Sequence, residues 1–184
     1  MSLDRKELEI LLARIDANLA VLGTICLIGS GATILLGQTT RQTDDIDVWA
    51  YASRFALDKL KLAVEAAGLG FDPKEELPNI PYLQIVHPGI VHVPGWNAVK
   101  REWLGEPERE VWKGQRLTVT VPPPQILVAS KLVRGDDRDL EDCLWLMAAH
   151  GVAARDVMKA IRALPPEPRN TATDNLAILG MLKP

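Results

Sequence analysis

The sequence predicts an α/β fold with a helical C-terminal part, on three observations. Between Asp4 and Val121 short apolar runs alternate with segments of helical period. Beyond Pro124 the pattern is helical. Between the first helical segment and the one that follows Ser53, the stretch Leu27 to Trp49 (LIGSGATILLGQTTRQTDDIDVW) sets an apolar run, a Gly-Ser turn, a small helix and a strand bearing two aspartates in succession.

Taken in order, Asp4 is placed to cap a first helix in which Leu8, Leu11, Leu12, Ile15, Leu19 and Leu22 recur at helical spacing, with Gly23 as its expected stop. Thr24 to Ile28 read as a short buried strand, and Ala32 to Leu36 as a compact helix closed by Gly37. The polar stretch Gln38 to Asp44 is a connector that delivers Asp45. Ser53 is the expected cap of a helix to Ala67, which Gly68 and Gly70 stop. Pro73 to Pro81 read as a loop, and Tyr82 to Val86 with Ile90 to Val93 as a hairpin through Pro88-Gly89.

Gly95 to Arg116 mixes Trp96, Trp103 and Trp112 with bases and acids whose charges nearly cancel. Tryptophans among basic residues can stack a nucleobase, but anchoring of irregular chain to the core is the better reading. Leu117 to Val121 alternate as a strand ended by Pro122, Pro123 and Pro124. Pro124 stands where a first-turn proline belongs, and the helix it opens runs through Ile126, Leu127, Ala129, Leu132 and Val133 to Gly135. Asp136 or Asp137 caps the next helix. Its stripe of Leu140, Cys143, Leu144, Leu146 and Met147 leaves Arg138, Asp139, Glu141 and Asp142 on or beside the exposed face. Helices over Ala153 to Leu164 and Thr173 to Leu182 flank a proline-rich break at 165–168. The division this suggests is a core over 1–122 and a helical region over 123–184.

A length of 184 residues with 47% apolar content suffices for one globular unit or a core with an appendage. The net charge of −3 argues against a broad nucleic-acid surface, which needs an excess of Lys and Arg facing phosphates. Cys26 and Cys143 sit in apolar runs without metal-ligand spacing and read as buried thiols, fitting a reducing cytoplasm. No apolar run reaches the ~18 residues of a membrane span, and the charged N-terminal stretch has no signal-peptide plan.

The chemistry concentrates at Leu27 to Trp49. With period two, Asp45 and Asp47 leave one face of a strand, roughly 6.5 to 7 Å apart along it. Two such carboxylates are hard oxygen ligands of the kind Mg²⁺ (or Mn²⁺) accepts when substrate phosphates complete its octahedron. Gly29 lets backbone approach a ligand closely, and Ser30 sets a hydroxyl beside unpaired helix N–H groups. Each half has an ordinary reading, a turn with a helix cap and a solvated strand face. Their order in one stretch is what favours a shared triphosphate and metal site.

That order, Ile28-Gly29-Ser30 followed by Asp45-Ile46-Asp47-Val48, resembles the nucleotidyltransferase superfamily. Arg41, Thr43, Asp45, Ile46 and Asp47 match the Arg-x-Thr-x-Asp-Ile-Asp element of bacterial nucleotidyltransferase-like proteins of toxin–antitoxin and phage-abortive systems. Downstream, KLVRGDDRDLEDCLWLM is similar to their second signature, with Lys131 at their lysine and Arg138, Asp139 and Asp142 at their Arg-x-Lys-Asp-type element. The resemblance spans residue 27 to about 147, and its sharp matches are about a dozen residues. It implies a small mixed sheet flanked by helices, with a C-terminal helical part.

It also implies transfer of a nucleotide from an NTP such as ATP to a hydroxyl of an RNA or tRNA end, a protein or a small molecule, in a toxin-like or defence protein paired with a regulatory (antitoxin) partner. On this reading Asp45 and Asp47 hold the metal. Gly29, Ser30, Arg41 and Thr43 bind the nucleotide. Lys131 neutralises phosphate, and Asp139 ligates metal, orients the acceptor or acts as base. Polymerase-like members carry a third carboxylate on a later strand. The candidate strand Gly89 to Val93 has none, leaving His92, His87 or Asp139 as substitutes. Two further readings follow: a degenerate partner that binds nucleotide or protein without catalysis, and a kinase-like phosphoryl donor.

Overall fold

The computed structural model describes residues 2–75 and 80–182. In chain order the elements are α1 (Arg5–Asn18), β1 (Gly23–Cys26), α2 (Gly29–Leu35), β2 (Asp45–Trp49), α3 (Leu57–Ala66), β3 (Gly70–Phe71), β4 (Tyr82–Val86) and β5 (Trp96–Asn97). There follow β6 (Glu102–Trp103), β7 (Arg109–Lys113), β8 (Leu117–Val121), α4 (Pro124–Arg134), α5 (Asp137–His150), α6 (Ala154–Ile161) and α7 (Pro166–Leu182). Sheets with helices at their flanks and a run of helices at the C-terminus make this the mixed α/β fold expected. It divides into two compact units, Met1–His87 with Arg109–Val121 and Pro88–Glu108 with Pro122–Pro184.

In the first unit, β1 runs parallel to β8, which pairs antiparallel with β7, and β4 lies between β2 and β3, parallel to both. Just past β1, Leu27 bridges Val48 in the antiparallel sense, and the Ile28 N–H donates to the Asp47 carbonyl at 3.0 Å. The chain leaving β1 is thereby stitched to β2.

The cap of α1 is a reciprocal pair: the Asp4 side chain accepts from the Glu7 N–H, and the Glu7 carboxylate accepts from the Asp4 N–H. The helix ends at Asn18, five residues before Gly23. Gly23 is captured by the sheet instead, its N–H donating to the Arg116 carbonyl, which leaves Leu22 79% exposed outside the helix. Ser53 does not cap α3, which starts behind Ala56. Its hydroxyl accepts from the Cys26 N–H at 2.9 Å and donates to the Trp49 carbonyl at 2.7 Å.

The expected hairpin after Val86 does not form. Both edges of β4 are already occupied by β2 and β3, so Ile90 to Val93 have no edge to join, and Ile90 is 71% exposed. Of the loop expected over 73–81, residues 76–79 lie outside those described.

In the second unit, β5 and β6 form a small antiparallel ladder that packs Trp96 on a fully buried Trp103 at 4.9 Å between ring centroids, with the Arg101 guanidinium 5.4 Å from the Trp96 ring. Pro124 opens α4, and Gly135 ends it in the left-handed region that glycine tolerates. The proline-rich stretch before the last helix is not a break: Pro166 and Pro168 stand in the first turn of α7, where a missing N–H leaves no bond unmade. Both cysteines are free and buried. Among the described residues no helix is long and apolar enough to cross a membrane.

One carboxylate closes the first unit across the chain. Asp16 accepts from the N–H groups of Gln115 (3.0 Å), Arg116 (2.7 Å) and Leu117 (2.7 Å), and a Cβ on Gly114 would collide with it. Burial works to raise its pKa, but those backbone donors and the Arg116 charge outweigh it and hold the group below its ordinary value. A carboxylate depressed in the folded state stabilises above its unfolded value of 3.8, and that contribution is lost as pH falls through the folded value. Asp16→Ala is expected to lower stability near neutral pH by roughly 1–2 kcal/mol, the lower end reflecting solvent screening. Urea unfolding at neutral and at acid pH checks it, with the gap from wild type closing in acid.

Candidate functional site

Strand β2 alternates as its sequence dictates: Ile46 and Val48 are fully buried, while Asp45 and Asp47 on the other face are half-buried. The two carboxylates therefore share a face. Thr43 orients the first, its hydroxyl donating to Asp45 Oδ1 at 2.7 Å and lying 3.2 Å from the Asp45 carbonyl. Thr43 is itself buried and fixed by a two-way backbone pairing with Leu3. That geometry makes it a holder of Asp45, a role its expected place among the nucleotide-binding residues did not include.

Gly29 lies against Asp47, as the bond between Ile28 and the Asp47 backbone requires. Its φ of 64° is left-handed, and a Cβ there would run into Asp47 Oδ2. Ser30 follows in the first turn of α2, which starts three residues earlier than the expected Ala32. Its hydroxyl accepts from Arg41 Nε at 3.3 Å and Nη2 at 3.2 Å, so a guanidinium stands beside the Gly-Ser turn. Gly29, Ser30, Arg41, Thr43, Asp45 and Asp47 thus gather in the first unit: a cation, a hydroxyl and two carboxylates, with Asp47 lying directly over the Gly29 backbone.

The donor set fits a divalent cation of the Mg²⁺ class. Both side chains are hard carboxylate oxygens on one strand face, and one is oriented by a hydroxyl behind it. Among the described residues no group of three or more His, Cys, Asp or Glu side chains forms a metal cage. The pair would leave most coordination positions to water and substrate oxygens, as Mg²⁺ sites on nucleotides do.

Lys131 and Asp139 belong to the second unit, where the structure gives them to each other. Lys131 Nζ donates to Asp142 Oδ2 at 2.8 Å and to Asp139 Oδ1 at 3.3 Å. Arg134 grips Asp139 with a two-pronged fork, at 2.6 and 2.9 Å, while the Asp136 side chain caps α5 by accepting from the Asp139 N–H. Asp139 and Asp142 are therefore buried, correcting their expected place on or beside the exposed face. The cations that pull them inward lie on the preceding helix. Arg138 and Glu141 do stay exposed. Burial pushes the neighbouring Cys143 thiol far up, opposed by the Lys131 charge and reinforced by those of Asp139 and Asp142, so it is no nucleophile.

Sequence reasoning passed over Gln84. The register of β4 on β2 sets it beside Asp47. The only sequence signal was the period of Tyr82-Leu83-Gln84-Ile85, which has no meaning for a site until the partner strand is known.

Residues 6–146 match a family described as "Nucleotidyltransferase of unknown function (DUF6036)". No curated protein and no solved structure matches the chain.

Two substitutions test the two groups of residues. Gly29→Ala is expected to displace the Asp47 carboxylate and weaken Mg²⁺-dependent nucleotide binding by about tenfold or more, the scale on which metal sites respond to disturbed ligand placement. Calorimetric titration beside a melting curve checks that binding falls further than stability. Lys131→Met leaves buried carboxylates without their ammonium and is expected to destabilise by ~3 kcal/mol, read by chemical denaturation. Unchanged stability with lost nucleotide affinity would instead make Lys131 a phosphate ligand.

Proposed function

The chain belongs to the nucleotidyltransferase family that its residues 6–146 match, and from that premise we propose that it moves a nucleoside monophosphate from an NTP to a hydroxyl acceptor in a divalent-metal-dependent reaction. The observation that carries the proposal is the convergence of Asp45 and Asp47 on one face of β2, with Gly29 against Asp47 and Ser30 next in the chain.

In this reaction the acceptor hydroxyl gives up its proton to solvent, its oxygen forms a bond to the α-phosphorus, the bond from that phosphorus to the bridging oxygen breaks, and pyrophosphate leaves. Bound at the two carboxylates, Mg²⁺ or Mn²⁺ supplies charge neutralisation at the phosphate oxygens. The side chains do the positioning. The Arg41 guanidinium, held at the Ser30 hydroxyl, is a fixed positive partner for the triphosphate. Gly29 lets the Asp47 carboxylate lie against the turn, as a residue with a Cβ would not. Thr43 keeps Asp45 in one orientation, so that reorganisation is small when charge develops.

A second reading, nucleotide binding without transfer, draws on the small donor set: among the described residues no third His, Cys, Asp or Glu joins the pair in a metal-holding group.

Labelled nucleotide separates these readings. With cell RNA and protein as acceptors, label from α-³²P-NTP is expected to move to the acceptor, and to fall on the order of 10²-fold in Asp45→Asn or Asp47→Asn, the scale of losing one electrostatic partner of developing charge. Transfer of γ-label alone would identify a kinase. Saturable binding without transfer of either label would identify a nucleotide-binding partner.

A further inference from the structure

The parallel ladder between β2 and β4 places Tyr82 level with Asp45 and Gln84 level with Asp47. Residues level in a ladder send their side chains to the same face, about 4.8 Å apart across the strands. The burial pattern agrees on both strands: Ile46, Val48, Leu83 and Ile85 are buried, and Asp45, Asp47, Tyr82 and Gln84 are half-buried. A carboxamide and a phenol therefore line the face that carries the two carboxylates. Tyr82 has an interaction of its own, whereas the Gln84 carboxamide makes no hydrogen bond among the described residues. Half-buried, the amide stays within reach of water on this face, and its oxygen is open to exchange that water for a ligand.

We propose that Gln84 is part of the site and that its carboxamide oxygen is a neutral third protein ligand for the divalent cation held at Asp47. This rests on the metal-dependent reading above. Amide oxygens are accepted by hard divalent cations alongside carboxylates. The charge balance follows from the chemistry of the set: two carboxylates and one amide match a single divalent cation, whereas a carboxylate at position 84 would leave an excess negative charge suited to a second. The protein alone then holds one cation, and a further one has to arrive with the nucleotide. Gln84 thereby sets both the stoichiometry and the strength of cation binding at the site.

Mn²⁺ binding to the full chain without nucleotide, followed by the electron paramagnetic resonance signal of the free ion, tests this independently of turnover. Wild type is expected to bind one Mn²⁺, Gln84→Leu to bind it roughly three- to tenfold more weakly, and Gln84→Glu about tenfold more tightly. Gln84→Leu affinity equal to wild type, with Asp47→Asn abolishing binding, overturns the role of Gln84 and leaves the carboxylate site standing. Binding that survives unchanged in Asp47→Asn, or that is missing in wild type, overturns both. Should the Leu variant not fold, Gln84→Glu decides, and an affinity equal to wild type overturns the proposal.

Discussion

Burial of Ile46 and Val48 leaves Asp45 and Asp47 no direction but outward, and the candidate site is built on that alternation. A slip of one residue would drive both carboxylates into the core, where an unpaired charge costs several kcal/mol even after relaxation. The register is protected from both sides. On one edge, five successive residues of β2 pair with β4; on the other, the chain leaving β1 bonds to the backbone of Asp47 and Val48. The same bonds press Gly29 against Asp47. The glycine turn and the aspartate strand, separated by more than a dozen residues of sequence, are therefore one geometric object, and neither can be altered without moving the other.

The second unit is organised by charge in an unexpected place. Lys131, Arg134, Asp139 and Asp142 tie α4 to α5 through bonds that are mostly buried. Ion pairs of this kind add little net stability, because desolvation offsets most of their attraction. Their effect is on register: the two helices meet at the one sliding position and rotation in which each buried carboxylate finds its cation.

Much of this was legible in the sequence wherever the signal was local. Asp4, Pro124 and Gly135 each act on chain within a few residues and stand where expected, and of the two candidate caps for α5 it is Asp136 that binds. The alternation of Asp45 to Val48 and of Leu117 to Val121 is likewise self-contained. What escaped notice depends on partners distant in sequence. Ile90 to Val93 has the composition of a strand, but the edge it needed was taken. Asp139 and Asp142 were placed on the wrong side because a hydrophobic stripe counts every charge as outward, and only Lys131 and Arg134 on the neighbouring helix reverse that. Pro166 and Pro168 break a helix in its interior yet begin one at its first turn, and composition does not distinguish the two. Gln84 lacked any signature, since a polar residue in a strand acquires meaning only from the residue beside it.

The route of the chain also bears on the order in which the molecule can assemble. Gly23 to Cys26 pair with Leu117 to Thr120, so β1 waits through about half the sequence for its parallel partner. Between them lies the segment 88–108, which belongs to the other unit, so the second unit begins in sequence before the first is finished. Contacts this far apart in sequence slow folding, because loop closure comes before the pairing that rewards it. During synthesis the edge of β1 destined for β8 stays open until β8 has left the ribosome, the period in which an unpaired apolar strand is most prone to the wrong neighbour. The two-aspartate strand depends on the same delayed closure, since the chain that anchors it runs straight out of β1.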